Sequence, residues 1–593
     1  MRAAFGRPSL FKGMKKYWGG VVFLFVSSLF FFAAHQHQLG GFSDEPLFIL
    51  LAQSLWHGQF HLTLINMPIT DPLPGYPILL ALPVHFLGGH WNYYFLIGFS
   101  QTLIALYFSW RLAREFLSPG ISLLTFLLIS INPTLLFYSG TVFLDTAYLA
   151  VSLILFCALA QAEESSILYW APLSALSPLI KPHGAILIAC LMVLISLRFS
   201  WKKALVFGLL SFLPLVLWLL RNHLISGTST GYLDNWLSQA SLPQNKGNPL
   251  FHIMQVVASL WGAAPLGAYG QPWALFPFWM SLGFGILLIA FFSRGVARLI
   301  KNPAHQALVF SLALYVILLS FLHFLWPAAS VRYAIPFLPF VWIFVMAGLF
   351  VDSPAQTRNL GLILSAVIFI RCGAIDQIFI SIKPRETPIV SFNTLQWVKR
   401  KTPASARIDT YDGSLFMLIA RRYAITAVAN NQDNWIHLLI DKRFNYIEAA
   451  PFFSNGFSSS YGLVTYSKQV QWMENSPYFK KVYLNPNEGT VIYQFFHPHP
   501  KRFLRAYHDF EEAKIAMFVG YVRRRKFIQK KLNEAVRLEP NLAYAWAALG
   551  SIETAPQKRL YYFERAAKAD PSSDEITEDL AKIRLEARRK PAS

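Results

Sequence analysis

Residues 18–58 read WGGVVFLFVSSLFFFAAHQHQLGGFSDEPLFILLAQSLWHG, and two features of this stretch decide the architecture. Trp18–Ala34 is apolar and uncharged, and at ~1.5 Å per residue it is long enough to cross most of a hydrocarbon layer ~30 Å thick. Asp44 and Glu45 then stand side by side, and no Lys or Arg occurs between Lys16 and Arg111. Arg2, Arg7, Lys12, Lys15 and Lys16 precede the run in the manner of a signal peptide. No small-residue cleavage site follows it and many further apolar runs do, so the reading is a retained first helix.

Outward from this stretch the composition agrees. The chain has 593 residues, of which 54% are hydrophobic and only 14% charged, with a mean hydropathy of +0.40. Soluble domains carry about 25% charged residues. The charges are unevenly placed: residues 1–381 hold 19 Lys/Arg and 10 Asp/Glu, whereas the shorter 382–593 holds 33 and 21. The first part reads as a polytopic membrane domain and the second as water-soluble, which excludes a soluble enzyme, a disordered chain and a secreted disulfide scaffold. Of the net charge of +21, +9 falls in the membrane part and +12 in the tail. Lys and Arg flanking membrane spans on the cytoplasmic side explain such an excess, and no nucleic-acid partner is expected. Cys157, Cys190 and Cys372 all lie inside apolar stretches, without disulfide or metal-site spacing.

Apolar runs suited to crossing a bilayer occur near 18–36, 92–110, 119–136, 145–161, 167–180, 184–198, 204–220, 272–292, 305–325, 334–351 and 359–380, about eleven spans. With the N-terminus inside, the clusters Arg111/Arg114, Arg198/Lys202/Lys203, Arg294/Arg298/Lys301 and Arg358 all fall on the cytoplasmic side. An odd span count then places 382–593 outside the cell membrane. Pro74–Leu87 (PGYPILLALPVHFL) is apolar but short and carries three prolines. Counting it as a span would reverse the arginine pattern, so it reads as a surface helix within a long first external loop of about 37–91.

The tail divides into an extracytoplasmic α/β domain (382–500) and a helical region (501–593). Strand-like Arg407–Tyr411, Phe444–Glu448 and Thr490–Phe496 mix with helical Ser414–Arg422 and Val470–Glu474 in the former. In the latter, Glu534-Ala-Val-Arg-Leu-Glu-Pro540 matches Arg565-Ala-Ala-Lys-Ala-Asp-Pro571 at an offset of 31 residues. Tetratricopeptide repeats have a 34-residue period, so the region reads as tetratricopeptide-like and as a surface for a protein partner. An ordinary helical bundle is the plainer alternative.

Ionisable residues in or beside spans are costly and default to functional candidates. Asp44 and Glu45 are the strongest, although Ser43 or Asp44 could simply cap a helix. Asp145, at the external start of the fourth span, could orient an acceptor or a metal, or cap that helix. Lys181, Arg221 and Arg332 map to external span ends, where the plain reading is interfacial snorkelling. His35, His37 and His57 lie near the acids and could join a divalent-metal site, although interfacial histidines are more often structural. His497-Pro498-His499-Pro500 reads as a hinge.

The Asp44-Glu45 pair, the aromatic Phe48, Ala52 and Leu55-Trp56-His57-Gly58 resemble the first external loop of the GT-C membrane glycosyltransferases. The likeness is strongest to the group holding the protein O-mannosyltransferases and the lipid A aminoarabinose transferase. Pro72-Leu73-Pro74-Gly75-Tyr76-Pro77, Asn132-Pro133 with Asp145, Lys181-Pro182, Arg221-Asn222 with Gly227, and Arg332-Tyr333 with Pro336 and Pro339 follow in the same order over about 40–380. Phe48 stands for the usual Tyr and Lys181 for the usual Arg. The resemblance implies inverting sugar transfer outside the membrane, from a polyprenyl-phosphate sugar to an acceptor hydroxyl on a lipid, glycan or protein. Asp44 is the general base, Glu45 and Asp145 complete the catalytic set, and Lys181, Arg221, Asn222, Arg332 and Tyr333 bind substrate. Alternatives are a lipid-linked oligosaccharide ligase, a flippase or transporter, and a non-catalytic scaffold. No Walker or dinucleotide motif supports a nucleotide-sugar donor.

The topology is directly testable. A reporter active only outside the membrane should work when fused after Pro384 and stay silent after Leu117. A signal after Leu117 would make Pro74–Leu87 a span and shift every later helix by one crossing.

Overall fold

The computed structural model describes residues 10–589 other than 36, 38, 40–43, 63–66, 71, 228–256, 258–259, 261–277, 326–330, 382–391, 411–412, 428, 430, 451–469 and 475. The chain forms two compact units, Met1–Glu386 and Thr387–Ser593.

In the first unit, each of the eleven apolar segments carries a helix. Helix α1 spans Leu10–His35, α2 Asp44–Trp56 and α3 Gly75–Leu87, with a two-residue hairpin of β1 (His61–Leu62) and β2 (Met67–Pro68) between the last two. There follow α4 (Phe95–Phe116), α5 (Pro119–Ser130), α6 (Pro133–Tyr138), α7 (Leu144–Gln161), α8 (Ala171–Ile180), α9 (Gly184–Arg198) and α10 (Trp201–Ser226). Helices α11 (Phe278–Leu299), α12 (Gln306–Leu325), α13 (Leu338–Phe350) and α14 (Ala355–Ser381) complete the unit. Among the described residues, five stretches are long and apolar enough to cross a membrane: Leu144–Gln161, Trp201–Ser226, Leu282–Leu299, Gln306–His323 and Arg332–Phe350. The 119–136 segment is broken rather than continuous, because the Asn132 side chain accepts the backbone N–H of Thr134 (3.0 Å) and Leu135 (3.3 Å) and Pro133 opens a new helix. Helix α3 has 13 residues, about 20 Å of rise, shorter than the hydrocarbon layer.

Helices α7 and α13 form the centre, with 72% and 89% of their apolar windows buried, whereas α10 is 28% buried and turns Leu209, Leu217 and Leu224 outward. An exposed apolar run such as Ala204–Leu220 fits lipid rather than water. Helices α11 and α13 touch backbone to backbone. A Cβ on Gly295 would lie 1.9 Å from the Phe344 carbonyl oxygen, and one on Gly348 2.0 Å from that of Phe291. Small residues allow this approach where water cannot drive helices together.

The second unit opens with α15 (Phe392–Lys401) and continues through β3 (Arg407–Asp409), a helical turn over 413–420, β4 (Tyr423–Ile425), α16 (Gln432–Asp441), β5 (Tyr446–Ala449), β6 (Phe479–Asn485) and β7 (Thr490–Phe495). The five strands form one mixed sheet in the order β4-β3-β5-β7-β6, parallel at β4-β3-β5 and antiparallel at β7. Four helical elements follow: α17 (Pro500–Leu538), α18 (Ala543–Ile552), α19 (Pro556–Ala569) and α20 (Asp574–Arg589).

Helix α17 is folded back on itself. Arg502 donates to the carbonyls of Leu538 and Arg537, and Lys531 Nζ lies 2.7 Å from Asp509 and 2.6 Å from Glu512. In a straight helix, a separation of 36 residues is roughly 54 Å. The pairs 502/538 and 509/531 are centred on position 520, a glycine. The division read at residue 500 is not a break in packing. Trp435, Ile447 and Phe495 from the α/β part share one hydrophobic cluster with Phe503, Leu532, Ala545 and Ile576 of the helical part. Asp433 ties the two together: its carboxylate accepts the Tyr544 N–H at 2.8 Å, in the first turn of α18. Desolvation pushes that carboxyl up to about 7.

Candidate active site

Four segments of the first unit bring together most of the residues singled out by sequence. Asp44 opens α2, where a helix N-terminus favours an acid; Ser43 lies outside the described residues. Glu45 beside it is fully buried. Its Oε1 accepts the Val142 N–H at 2.8 Å and sits 2.8 Å from His37 Nε2. Glu45 therefore clamps the start of α2 to the end of α1 and to the loop before α7.

Asp145 lies in the first turn of α7 and forms a buried ion pair with Lys181, the residue that ends α8. Lys181 Nζ also sits 5.1 Å from the centre of the Tyr333 ring. The neighbouring Arg332 places its guanidinium carbon 4.6 Å from the Phe143 ring centre and 5.4 Å from that of Tyr333. Cations held over aromatic faces in this way are fixed in position while donors stay free to point elsewhere. Burial pushes the Asp44 carboxyl above its usual range, the Arg332 charge pulls it back down, and Glu45 and Asp145 add to the upward push. Asp145 Oδ2, Arg332 Nε and His323 Nε2 are buried without a hydrogen-bond partner among the described residues.

Arg221 and Asn222 are used differently. Arg221 Nη1 donates to the Ile69 carbonyl at 2.9 Å and Nη2 to that of Phe60 at 3.5 Å, while Asn222 Nδ2 donates to Thr70 O at 3.0 Å. The Arg221 guanidinium also stacks over Trp218 at 4.4 Å. Arg221 Nη1 also donates to Asn222 Oδ1 at 2.9 Å, so the pair holds the 60–70 hairpin in place and these donors do not reach Asp145.

Several site residues escaped the sequence reading of roles. Tyr76, fully buried, donates to Gln101 Oε1 at 3.4 Å, which Thr146 also approaches at 3.2 Å, one residue after Asp145. Gly75 lets α3 start directly against the end of α8. A Cβ there would meet Ile180 N at 2.5 Å, next to Lys181. His323, inside α12, packs 5.2 Å from Tyr333 and 5.0 Å from His183. An ionisable residue within an apolar run was the signal that could have found it.

Among the described residues, the only three metal-capable side chains within mutual ligand reach are His508, Asp509 and Glu512 on α17. There the Lys531 ammonium already bridges Asp509 and Glu512. Among the described residues, the acids of the first unit do not form such a group with His35, His37 or His57.

The fold is shared, at low sequence identity, with solved structures of a membrane protein. ArnT from Cupriavidus metallidurans, in the structure bound to undecaprenyl phosphate, superposes with a TM-score of 0.52 at 11% sequence identity, over 81% of this chain and 98% of that one. The apo structure of the same protein gives a TM-score of 0.52 at 10% identity, over 80% and 97%. No protein-family model and no curated protein matches the sequence.

The Asp145–Lys181 pair separates structure from chemistry. Removing one partner strands a buried charge and should cost about 3–5 kcal/mol, whereas removing both should cost far less. Lys181→Met is therefore expected to lower the detergent-phase melting temperature more than Asp145→Asn/Lys181→Met does. If both variants melt together, the buried pair is not what holds α7 to α8.

Proposed function

We propose that this protein is a membrane glycosyltransferase that moves a sugar from a polyprenyl-phosphate donor to an acceptor hydroxyl. The carrying observation is the convergence of Asp44, the Asp145–Lys181 pair, Arg332 and Tyr333 at one end of the first unit, with buried polar atoms of Asp145 and Arg332 left for a ligand. The shared fold with ArnT, a GT-C glycosyltransferase crystallised with undecaprenyl phosphate, supports the same class of donor.

In this reading the chain crosses the membrane about eleven times with its N-terminus in the cytoplasm, and the site faces the extracytoplasmic side. Asp44 accepts the proton of the acceptor hydroxyl as that oxygen attacks the anomeric carbon. The bond from that carbon to the phosphate oxygen breaks on the opposite face, so configuration inverts. Lys181 and Arg332 meet the charge that builds on the departing phosphate. Tyr333 holds both cations from below, and Asp145 fixes Lys181. Glu45 positions Asp44 rather than reacting. Arg221 and Asn222 shape the loop over the site through the 60–70 hairpin. The tetratricopeptide-like helices of the second unit suit a protein partner or an acceptor presented on one.

Asp44→Asn keeps size and capping capacity but removes the base, so transfer should fall roughly 10²–10⁴-fold while insertion and donor binding persist. Arg332→Gln should raise the Asp44 carboxyl further and move the acidic limb of the pH–rate profile to higher pH, because the cation that lowers it is gone. Turnover by purified Asp44→Asn close to wild type would remove the catalytic assignment.

A further inference from the structure

The far end of the folded-back helix α17 leaves large apolar and basic side chains exposed. Phe518 is 94% exposed, more than Leu224 (77%) or Phe86 (76%) in the membrane unit, and Ile515, one turn before it, is 60% exposed. These side chains are not a misplaced core. The buried stripe of the same element, Ala513, Ala516, Ile528 and Leu532, is already packed in the hydrophobic cluster. Around the reversal the sequence reads Phe518-Val-Gly-Tyr-Val-Arg-Arg-Arg-Lys-Phe527. Arg524, Arg525, Lys526 and Phe527 are all exposed. Among the described residues no carboxylate forms an ion pair with Arg524 or Lys526, whereas Arg525 Nη2 donates to the Ile552 carbonyl at 3.0 Å. The acids of this element, Asp509, Glu511, Glu512 and Glu534, are held further along it by Lys514, Lys531 and Arg537.

We propose that the α17 tip docks on the anionic surface of the bilayer from which the chain hangs, with Phe518 and Ile515 entering the headgroup layer and Arg524 and Lys526 meeting lipid phosphates. Two observations select a bilayer over a protein groove. An apolar tip backed by a basic run has the two-part composition of interfacial membrane anchors. The covalent link to membrane helices also holds the second unit at high effective concentration near a lipid surface, so a weak contact suffices. Docking here would limit the freedom of the soluble unit without any new protein contact. The inference rests on the membrane location alone and is independent of the reaction assigned above.

The test uses the full chain in nanodiscs, with Phe518→Cys carrying a nitroxide; Cys157, Cys190 and Cys372 are buried. In phosphatidylglycerol discs the label should collide readily with oxygen and be shielded from a water-soluble nickel chelate. In pure phosphatidylcholine discs, or with Arg524→Gln/Lys526→Gln, the shielding should fall by about 30-fold in the docked-to-free ratio, the loss of two phosphate-facing cations. A label at Glu578→Cys, on exposed α20, should stay open to the chelate throughout. Equal chelate access at 518 in both lipids would overturn the proposal. Shielding that ignores both lipid charge and the two glutamines would also overturn it, and would assign the tip to a protein contact.

Discussion

A lysine and an aspartate buried together in a membrane unit are the constraint on which the site depends. Asp145 starts α7 and Lys181 ends α8, and neither charge could remain at that depth without the other. Their pairing fixes the relative height of two central helices. It also sets the ammonium over the Tyr333 ring, and so places the turn that carries Arg332. Gly75 completes the arrangement by letting α3 close against the backbone of residues 179–180. A second buried carboxylate, Glu45, does the same work across the first loop by taking the Val142 N–H and the His37 ring. Glu45 is thereby fully buried, whereas Asp44 beside it keeps some exposure.

Much of this was legible in the chain. Apolar runs locate the membrane helices because every backbone group in hydrocarbon must be satisfied within its own segment. Uncompensated acids at the head of a helix stand out against such a background, and so do Asp145, Lys181 and Arg332. The use of Arg221 and Asn222 was not legible. Their partners are backbone carbonyls about 150 residues earlier, at Ile69 and Thr70, and a carbonyl leaves no mark in a sequence. Asn132 was visible as a motif, but its task is local: it caps α6 and breaks the segment in two.

In the second unit the sequence pattern misleads at one place for a physical reason. Strands β4 and β6 went unread because the first has three residues and the second carries Lys480 and Lys481 at its exposed edge of the sheet. The His497–Pro500 hinge and the helical pattern after it suggest a boundary, yet burial there is continuous, from Trp435 to Leu532. A chain cut at 500 would expose the apolar face on which the sheet and α16 rely. The 31-residue self-match falls on the ends of α17 and α19. It misses the first arm of α17, whose partner is its own second arm.

The central claim is that a sugar leaves a polyprenyl phosphate at this site with inversion. The most direct measurement is to supply the purified, reconstituted protein with polyprenyl-phosphate sugars of known anomeric configuration and an acceptor alcohol. The product anomer is then read by NMR while the polyprenyl phosphate released is counted. The account predicts a product of opposite configuration and one polyprenyl phosphate for each sugar transferred. Retained configuration, or movement of the intact lipid-linked sugar across the bilayer without release of its phosphate, would contradict it.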